Sequence, residues 1–217
     1  MSTQAAEAAE YDPHAPQPVV IEQAPTELKL DLACGNTPRE GFSGVDLYAD
    51  KAERVDLMRF PWPWADSSVD EAHCSHFVEH LPMVYVTETG DYSPMPAPGA
   101  VDLFMRFFAE VWRVLKPGAQ IYVVTPSLRS SRAFQDPSHR RFLAGESYLY
   151  LSADWRKMNG LDHYVIPGHG CNFGVEVFPT IAPNMGLEAR SAEVQGYKVQ
   201  HEWNTTSDFH ARLKAIK

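Results

Sequence analysis

Residues 30–37 read Leu-Asp-Leu-Ala-Cys-Gly-Asn-Thr, and residues 44–47 read Gly-Val-Asp-Leu. The first stretch is a short apolar strand running into a tight Cys-Gly turn. Gly35 has no Cβ, so the backbone there can approach a ligand closely. The second stretch ends a following strand on an acid. Asp46, with Leu47 beside it, stands where a carboxylate can accept hydrogen bonds from the hydroxyls of a ribose. A third short stretch, Val55-Asp56-Leu57, offers Asp56 to an adenine amino group and Leu57 as an apolar face for the ring.

Working outward, the spacing predicts strands over 28–33, 43–47, 54–57 and 69–75 and a buried strand over 119–126. Between them, residues 101–115 carry apolar side chains at 103, 104, 107, 108, 111, 114 and 115, the period of a helix with a wide apolar stripe. Lys116-Pro117-Gly118 stops that helix. Strands alternating with helices imply a mostly parallel, doubly wound α/β sheet. Toward the end, 188–199 and 207–216 read as an antiparallel strand pair closing the sheet. Residues 88–100, rich in Pro and Gly, are too irregular for a core element, and the insertion from 85 to 100 reads as a lid or binding loop. Residues 1–25, rich in Ala, Glu, Gln and Pro, read as a disordered or extended tail before a single domain at 26–217. Its segment 127–172 lies on the substrate side.

Taken in order, LDLACG, GVDL, VDL, SVDEAHCSHFVEHL and EVWRVLKPGAQIYVVTP resemble the class I S-adenosylmethionine-dependent methyltransferases over roughly 28–126. They are most similar to a small methyltransferase-like group in which the second strand follows the Gly-rich turn almost at once. About nine residues separate Ala33 from Ser43, short for a βαβ crossover, and Ala33 stands in place of the first glycine of a GxG. The spacing speaks against a dinucleotide fingerprint, whose acid comes about 20 residues after the glycines. The resemblance implies S-adenosylmethionine as cofactor. Asp31, Ala33, Cys34 and Gly35 would then line its methionine part, Asp46 the ribose, and Asp56 and Leu57 the adenine. Ser75 and His76 would face the sulfonium and the incoming acceptor. The chemistry is an in-line displacement on an activated methyl, in which the enzyme aligns the nucleophile and, where necessary, removes its proton.

The chain of 217 residues has a net charge of −9, which argues against a broad nucleic-acid-binding face. There is no Pro-Cys nucleophile of the cytosine-C5 enzymes. The position of the Asn/Asp-Pro-Pro-Tyr turn common in amino-group methyltransferases holds Ser75-His76-Phe77-Val78. The acceptor expected is a small molecule, a sugar or a protein side chain. Three cysteines without a CxxC pair read as free thiols in a reducing compartment, and Cys34 as a small packed residue. With no basic or apolar leader pattern and no long apolar run, a cytoplasmic protein is expected.

His76-Phe77-Val78-Glu79-His80 also matches H-x-x-E-H, the signature of inverted zinc peptidases. That motif needs a long helix and a third ligand elsewhere, and Pro82 cuts this one short. No metal site is expected, and a zinc hydrolase survives as a remote alternative beside a non-catalytic binder of the same cofactor. Phe60 to Trp64 (FPWPW) reads as a rigid loop whose tryptophans cover the sheet edge. Downstream, Arg129, Arg132, Arg140 and Arg141 cluster in an otherwise acidic chain. Asp136, His139 and Arg140 there could hold or deprotonate an acceptor, His139 having a ring suited to proton removal near neutrality. Tyr92 in the insertion is a further candidate for contact with substrate. His163 and His169 read as loop residues.

Overall fold

The computed structural model describes residues 27–166, 170–182, 186–187 and 189–217. The expected tail at 1–25 and His169 lie outside the described residues. The strands are β1 (Lys29–Leu32), β2 (Ser43–Asp46), β3 (Glu53–Arg54), β4 (Val69–Ser75), β5 (Tyr85–Thr87), β6 (Tyr92–Ser93), β7 (Ala100–Asp102), β8 (Leu115–Pro126), β9 (Phe173–Ile181) and β10 (Thr206–Ala215). The helices are α1 (Leu103–Val114), α2 (Arg132–Gln135), α3 (Ala153–Met158) and α4 (Ala192–His201).

One seven-stranded sheet runs β3-β2-β1-β4-β8-β10-β9. The first five strands are parallel, and β10 inserts antiparallel between β8 and β9. The pleat sends alternate residues to opposite faces. Leu30, Ala72, Ile121, Leu213 and Val175 are successive partners across β1, β4, β8, β10 and β9. Leu30, Ala72, Ile121 and Leu213 are buried, with Val175 packed against them, in the core that Leu103, Phe107, Phe108 and Val111 of α1 complete. One position along, Asp31, His73, Tyr122, Arg212 and Glu176 form the next row, a polar stripe on the opposite face. Residues 33–42, which join β1 to β2, form turns and no helix, so that connection supplies no helix to cover the stripe.

α1 starts where Asp102 caps it, its carboxylate accepting the Phe104 amide at 2.8 Å. The predicted third strand is shorter than expected. Only Glu53–Arg54 pairs, because Asp56 folds its carboxylate back onto the Met58 amide at 3.0 Å and turns the chain.

The C-terminal strand pair needs a correction. β10 is antiparallel as expected, but its partner is β9, which carries β-branched residues at 175, 177, 180 and 181. The stretch expected to pair with it contains α4, started by Ser191, whose hydroxyl accepts the Val194 amide. The 85–100 insertion is more regular than its composition suggested. It forms the three-stranded antiparallel sheet β6-β5-β7.

FPWPW is structural. Trp62 is buried edge-on to Phe107 with centroids 5.4 Å apart. Its amide donates to the fully buried Glu110 carboxylate at 2.7 Å. Arg106 and Arg113 donate to the same carboxylate, so a buried charge is paired twice and clamps the loop to α1.

Candidate functional site

The turn after β1 is shaped by two residues in the left-handed region, Ala33 at φ 56° and Gly35 at φ 58°. Glycine adopts that conformation without cost and alanine does not. The Cys34 amide donates to the Val45 carbonyl at 3.2 Å, laying the turn against β2. Gly44 makes this close approach possible, since a Cβ there would meet Pro38 Cβ at 2.7 Å and Cys34 Sγ at 2.8 Å. Among the described residues, a Cβ on Gly35 would find nothing within 4 Å beyond its chain neighbours.

Asp46 closes the turn from the end of β2. Its Oδ2 accepts the Gly35 amide at 3.1 Å, and its Oδ1 accepts the amides of Tyr48 at 2.8 Å and Ala49 at 3.0 Å. Burial alone would raise this carboxyl's pKa. The amides of Tyr48, Gly35 and Ala49 together outweigh burial and hold it below the usual carboxylate range. Three of about four lone-pair positions are occupied. Oδ2, which meets the Gly35 amide, keeps capacity to accept from a ribose hydroxyl.

Asp31 does not turn its carboxylate toward that space. Oδ1 meets His73 Nδ1 at 2.7 Å, and Oδ2 accepts the Arg39 amide at 2.8 Å, so the side chain belongs to the polar stripe and ties the turn down. Cys34 lends its thiol to the Gly35 carbonyl at 3.2 Å, and burial, with Asp31 nearby, pushes that thiol up. It is a packing residue and a poor nucleophile.

At the other end, Leu47 follows Asp46 into the bend and is half-buried. Asp56 is partly exposed, its second oxygen 3.5 Å from the Arg59 guanidinium. Leu57 is corrected as an adenine face. It is 4% exposed and part of the core, and its carbonyl accepts the Trp62 indole at 3.2 Å. Tyr92 comes to this same end. Burial, and then the charge of Asp56, raise its phenol.

β4 ends at Ser75, and the next residue, His76, is left-handed at φ 54°. Its amide is held by the Val124 carbonyl at 2.9 Å, which throws the imidazole out at the rim. His76 Nδ1 lies 3.2 Å from Glu79 Oε1, and Nε2 lies 4.0 Å from Asp208. The hydrogen bond to Glu79 is the main reason that the His76 pKa is raised. Asp208, from β10, also faces Arg132 at 3.4 Å.

Among solved structures, the chain is similar to a SAM-dependent methyltransferase from Archaeoglobus fulgidus, at 15% identity, over 88% of this chain and 86% of that one, with a TM-score of 0.54. The fold is that of the class I methyltransferases. A SAM-dependent methyltransferase from Methanosarcina mazei is also similar, at 14% identity over 93% and 98% of the two chains, with a TM-score of 0.49. No protein-family model and no curated protein sequence matches the chain. No helix among the described residues is long and apolar enough to cross a membrane.

In a methyltransferase fold, ligands meet the carboxyl ends of the parallel strands, and Gly35, Asp46, Ser75 and His76 all stand at those ends. The downstream candidates are brought near them but do not converge. Asp136 accepts the amide and hydroxyl of Ser138 at 2.8 and 2.6 Å, which lowers its pKa. Arg140 donates to the carbonyls of Pro137 and His139. His139 donates through Nδ1 to the Ala133 carbonyl at 2.8 Å. Asp136, His139 and Arg140 thus each hold hydrogen bonds to neighbouring residues of 133–139.

The basic cluster is spent the same way. Arg129 binds the Gln200 carbonyl, Arg132 pairs with Asp208, and Arg141 pairs with Asp102 and the carbonyls of Leu81 and Pro82. Arg140 and Arg141 also border a cavity of about 450 Å³ with Met83, Phe104, Leu143 and Tyr164. Sequence reasoning missed Asp208 and the exposed aromatic trio Phe134, Phe142 and Trp203. Phe134 stacks on Phe142 with centroids 4.5 Å apart and lies 5.9 Å from Trp203. No local pattern marks these residues, which come from two distant segments, 134–142 and 203–208.

Proposed function

We propose that the chain is an S-adenosylmethionine-dependent methyltransferase acting on a small molecule, a sugar or a protein side chain. The observation that carries this reading is the Gly35 amide held by the Asp46 carboxylate at the open turn between β1 and β2. The residues suit the cofactor. Among the described residues, nothing beyond its chain neighbours comes within 4 Å of a Cβ placed on Gly35, and Asp46 keeps capacity to accept from a ribose hydroxyl. When bound, the cofactor supplies a methyl group activated on a sulfonium. Gly35 and its neighbours lie against the methionine part, Asp46 holds the ribose, and Asp56 with Tyr92 borders the adenine end.

His76 stands at the acceptor side. It orients the nucleophile by hydrogen bonding through Nε2 and takes a proton where the acceptor must lose one, while Glu79 fixes the ring through Nδ1. The half-exposed rim and the acidic surface favour an acceptor smaller than a nucleic acid helix. Calorimetric titration with S-adenosylhomocysteine tests the cofactor assignment, with micromolar affinity expected. No binding to folded protein would overturn it. Transfer of a labelled methyl group into fractionated acceptor pools separates an enzyme from a cofactor-binding protein of the same fold.

A further inference from the structure

Glu79, His80 and His139 each bring a potential ligand atom to within 4.8 Å of the others. They meet because the 136–141 loop is fastened over the end of β4. The Glu79 carbonyl accepts the amides of both Arg140 and Arg141, at 2.8 and 2.9 Å. The imidazoles of His80 and His139 then stand edge to face, 4.7 Å between centroids.

The hydrogen bonds around the cluster decide what it presents. Ser138 gives its one hydroxyl proton to the Asp136 carboxylate at 2.6 Å, so toward His80 Nδ1, 3.1 Å away, it acts as acceptor. His80 therefore carries its proton on Nδ1. His139 Nδ1 faces the Ala133 carbonyl at 2.8 Å, which can only accept, so His139 is protonated there as well. In the neutral rings of this tautomer both Nε2 atoms carry the lone pair. The third group is Glu79, 2% exposed. Its Oε1 meets His76, while its Oε2 is buried with no hydrogen-bond partner.

A buried carboxylate oxygen without a partner is costly. Two imidazoles with their outer nitrogens fixed by hydrogen bonds form the arrangement that orients metal-bound histidines. We propose that Glu79, His80 and His139 bind a divalent transition-metal ion of the zinc type, with Asp136–Ser138 and the Ala133 carbonyl as orienting partners. Two imidazoles and one carboxylate suit zinc and leave a coordination position open. Zinc bonds of roughly 2.0–2.2 Å require the ligand atoms to draw in from their present separations. His76, which the H-x-x-E-H pattern would make a ligand, instead holds the other oxygen of Glu79. Residues 78–80 form a 3₁₀ turn, so His76 and His80 do not stack on one α-helical face.

The test uses the full 217-residue chain, stripped with chelator and titrated with Zn²⁺ by calorimetry and with Co²⁺ by visible absorption. One equivalent per chain is expected, together with a rise in melting temperature. His80→Gln and His139→Asn should each weaken binding by more than about 100-fold, beyond what loss of an orienting partner costs. Ser138→Ala should weaken it by about 10–100-fold. His76→Gln should weaken binding by no more than about 10–100-fold, the cost of an orienting partner, and Asp46→Ala should retain the full equivalent. Zinc-edge anomalous diffraction on wild-type protein should place the ion among Glu79, His80 and His139, which keeps the test decisive if a variant does not fold. Failure of the folded wild-type chain to bind either ion would overturn the site. So would undiminished binding in both histidine variants, a loss in His76→Gln as large as in His80→Gln, or an ion located elsewhere.

Discussion

The Gly35 amide donates to Asp46 Oδ2 at 3.1 Å, joining residues 11 apart in sequence. This one contact couples the shape of the turn after β1 to the acid at the end of β2. A change at Asp46 therefore acts twice, removing the acceptor proposed for the ribose and releasing the turn.

Asp46→Ala removes charge-assisted hydrogen bonds, each contributing about 1.5–3 kcal/mol. Since 1.4 kcal/mol is a factor of ten, S-adenosylhomocysteine affinity should fall by about 10–100-fold, with the fold retained. Calorimetry alongside circular dichroism checks this. Unchanged affinity in a folded variant would contradict the assignment of Asp46.

Gly44→Ala tests the close packing beneath the same turn. The new methyl would press on Pro38 Cβ at 2.7 Å and Cys34 Sγ at 2.8 Å, and neither can swing away freely. Overpacking of this kind costs about 1–3 kcal/mol. Chemical denaturation should show that loss, and cofactor affinity should fall with it because the turn shifts. Adding Pro38→Gly, which removes one of the two obstructing atoms, should recover part of the packing strain.

Glu110→Ala leaves the Arg106 and Arg113 guanidiniums and the Trp62 amide without their shared acceptor. Removing one partner from a buried ion pair costs about 3–5 kcal/mol. The melting temperature should drop sharply, and Trp62 fluorescence should report loosening of the loop. A loss below about 1 kcal/mol would show that the network is solvated rather than buried.

His210 supplies a pH dependence. Burial lowers its pKa, partly countered by Asp208 and reinforced by His76. Its ring lies parallel to Phe178, with the Tyr122 hydroxyl 2.6 Å from Nδ1 and the Thr180 hydroxyl at Nε2. A histidine whose folded pKa lies below its unfolded value is stabilising as the neutral ring. That contribution is complete above about pH 6.5 and is lost as pH falls through that value toward the lower folded pKa. Melting temperatures from pH 8 to 5 should decline more steeply for wild type than for His210→Gln. Equal slopes would remove His210 from the account.

How much was legible beforehand differs from element to element. Val69–Ser75 was readable to the residue, since it follows a polar turn and its burial on one face leaves an alternating trace. α1 was readable within two residues because a wide apolar stripe at helical period has few other uses. The stretch containing α4 was misread because that helix buries none of its residues. With no apolar face to supply a period, only the Ser191 cap marked its start.

The site divides on the same physical line. Asp46 and Gly35 lie a few residues from strand ends, so strand period and turn chemistry alone brought them to the rim. Leu57 was assigned to a ligand face because sequence cannot say which way a side chain leaves a turn, and here the core took it. Glu79, His80 and His139 were each visible, but not that they meet. A contact across 59 residues depends on two amides finding the Glu79 carbonyl, which only the closed chain arranges. From sequence alone came the α/β class, the turn after β1 and its acid. Tertiary structure decided which side chains of the distant 127–216 region meet the end of β4, because their meeting depends on loop docking rather than on any local period.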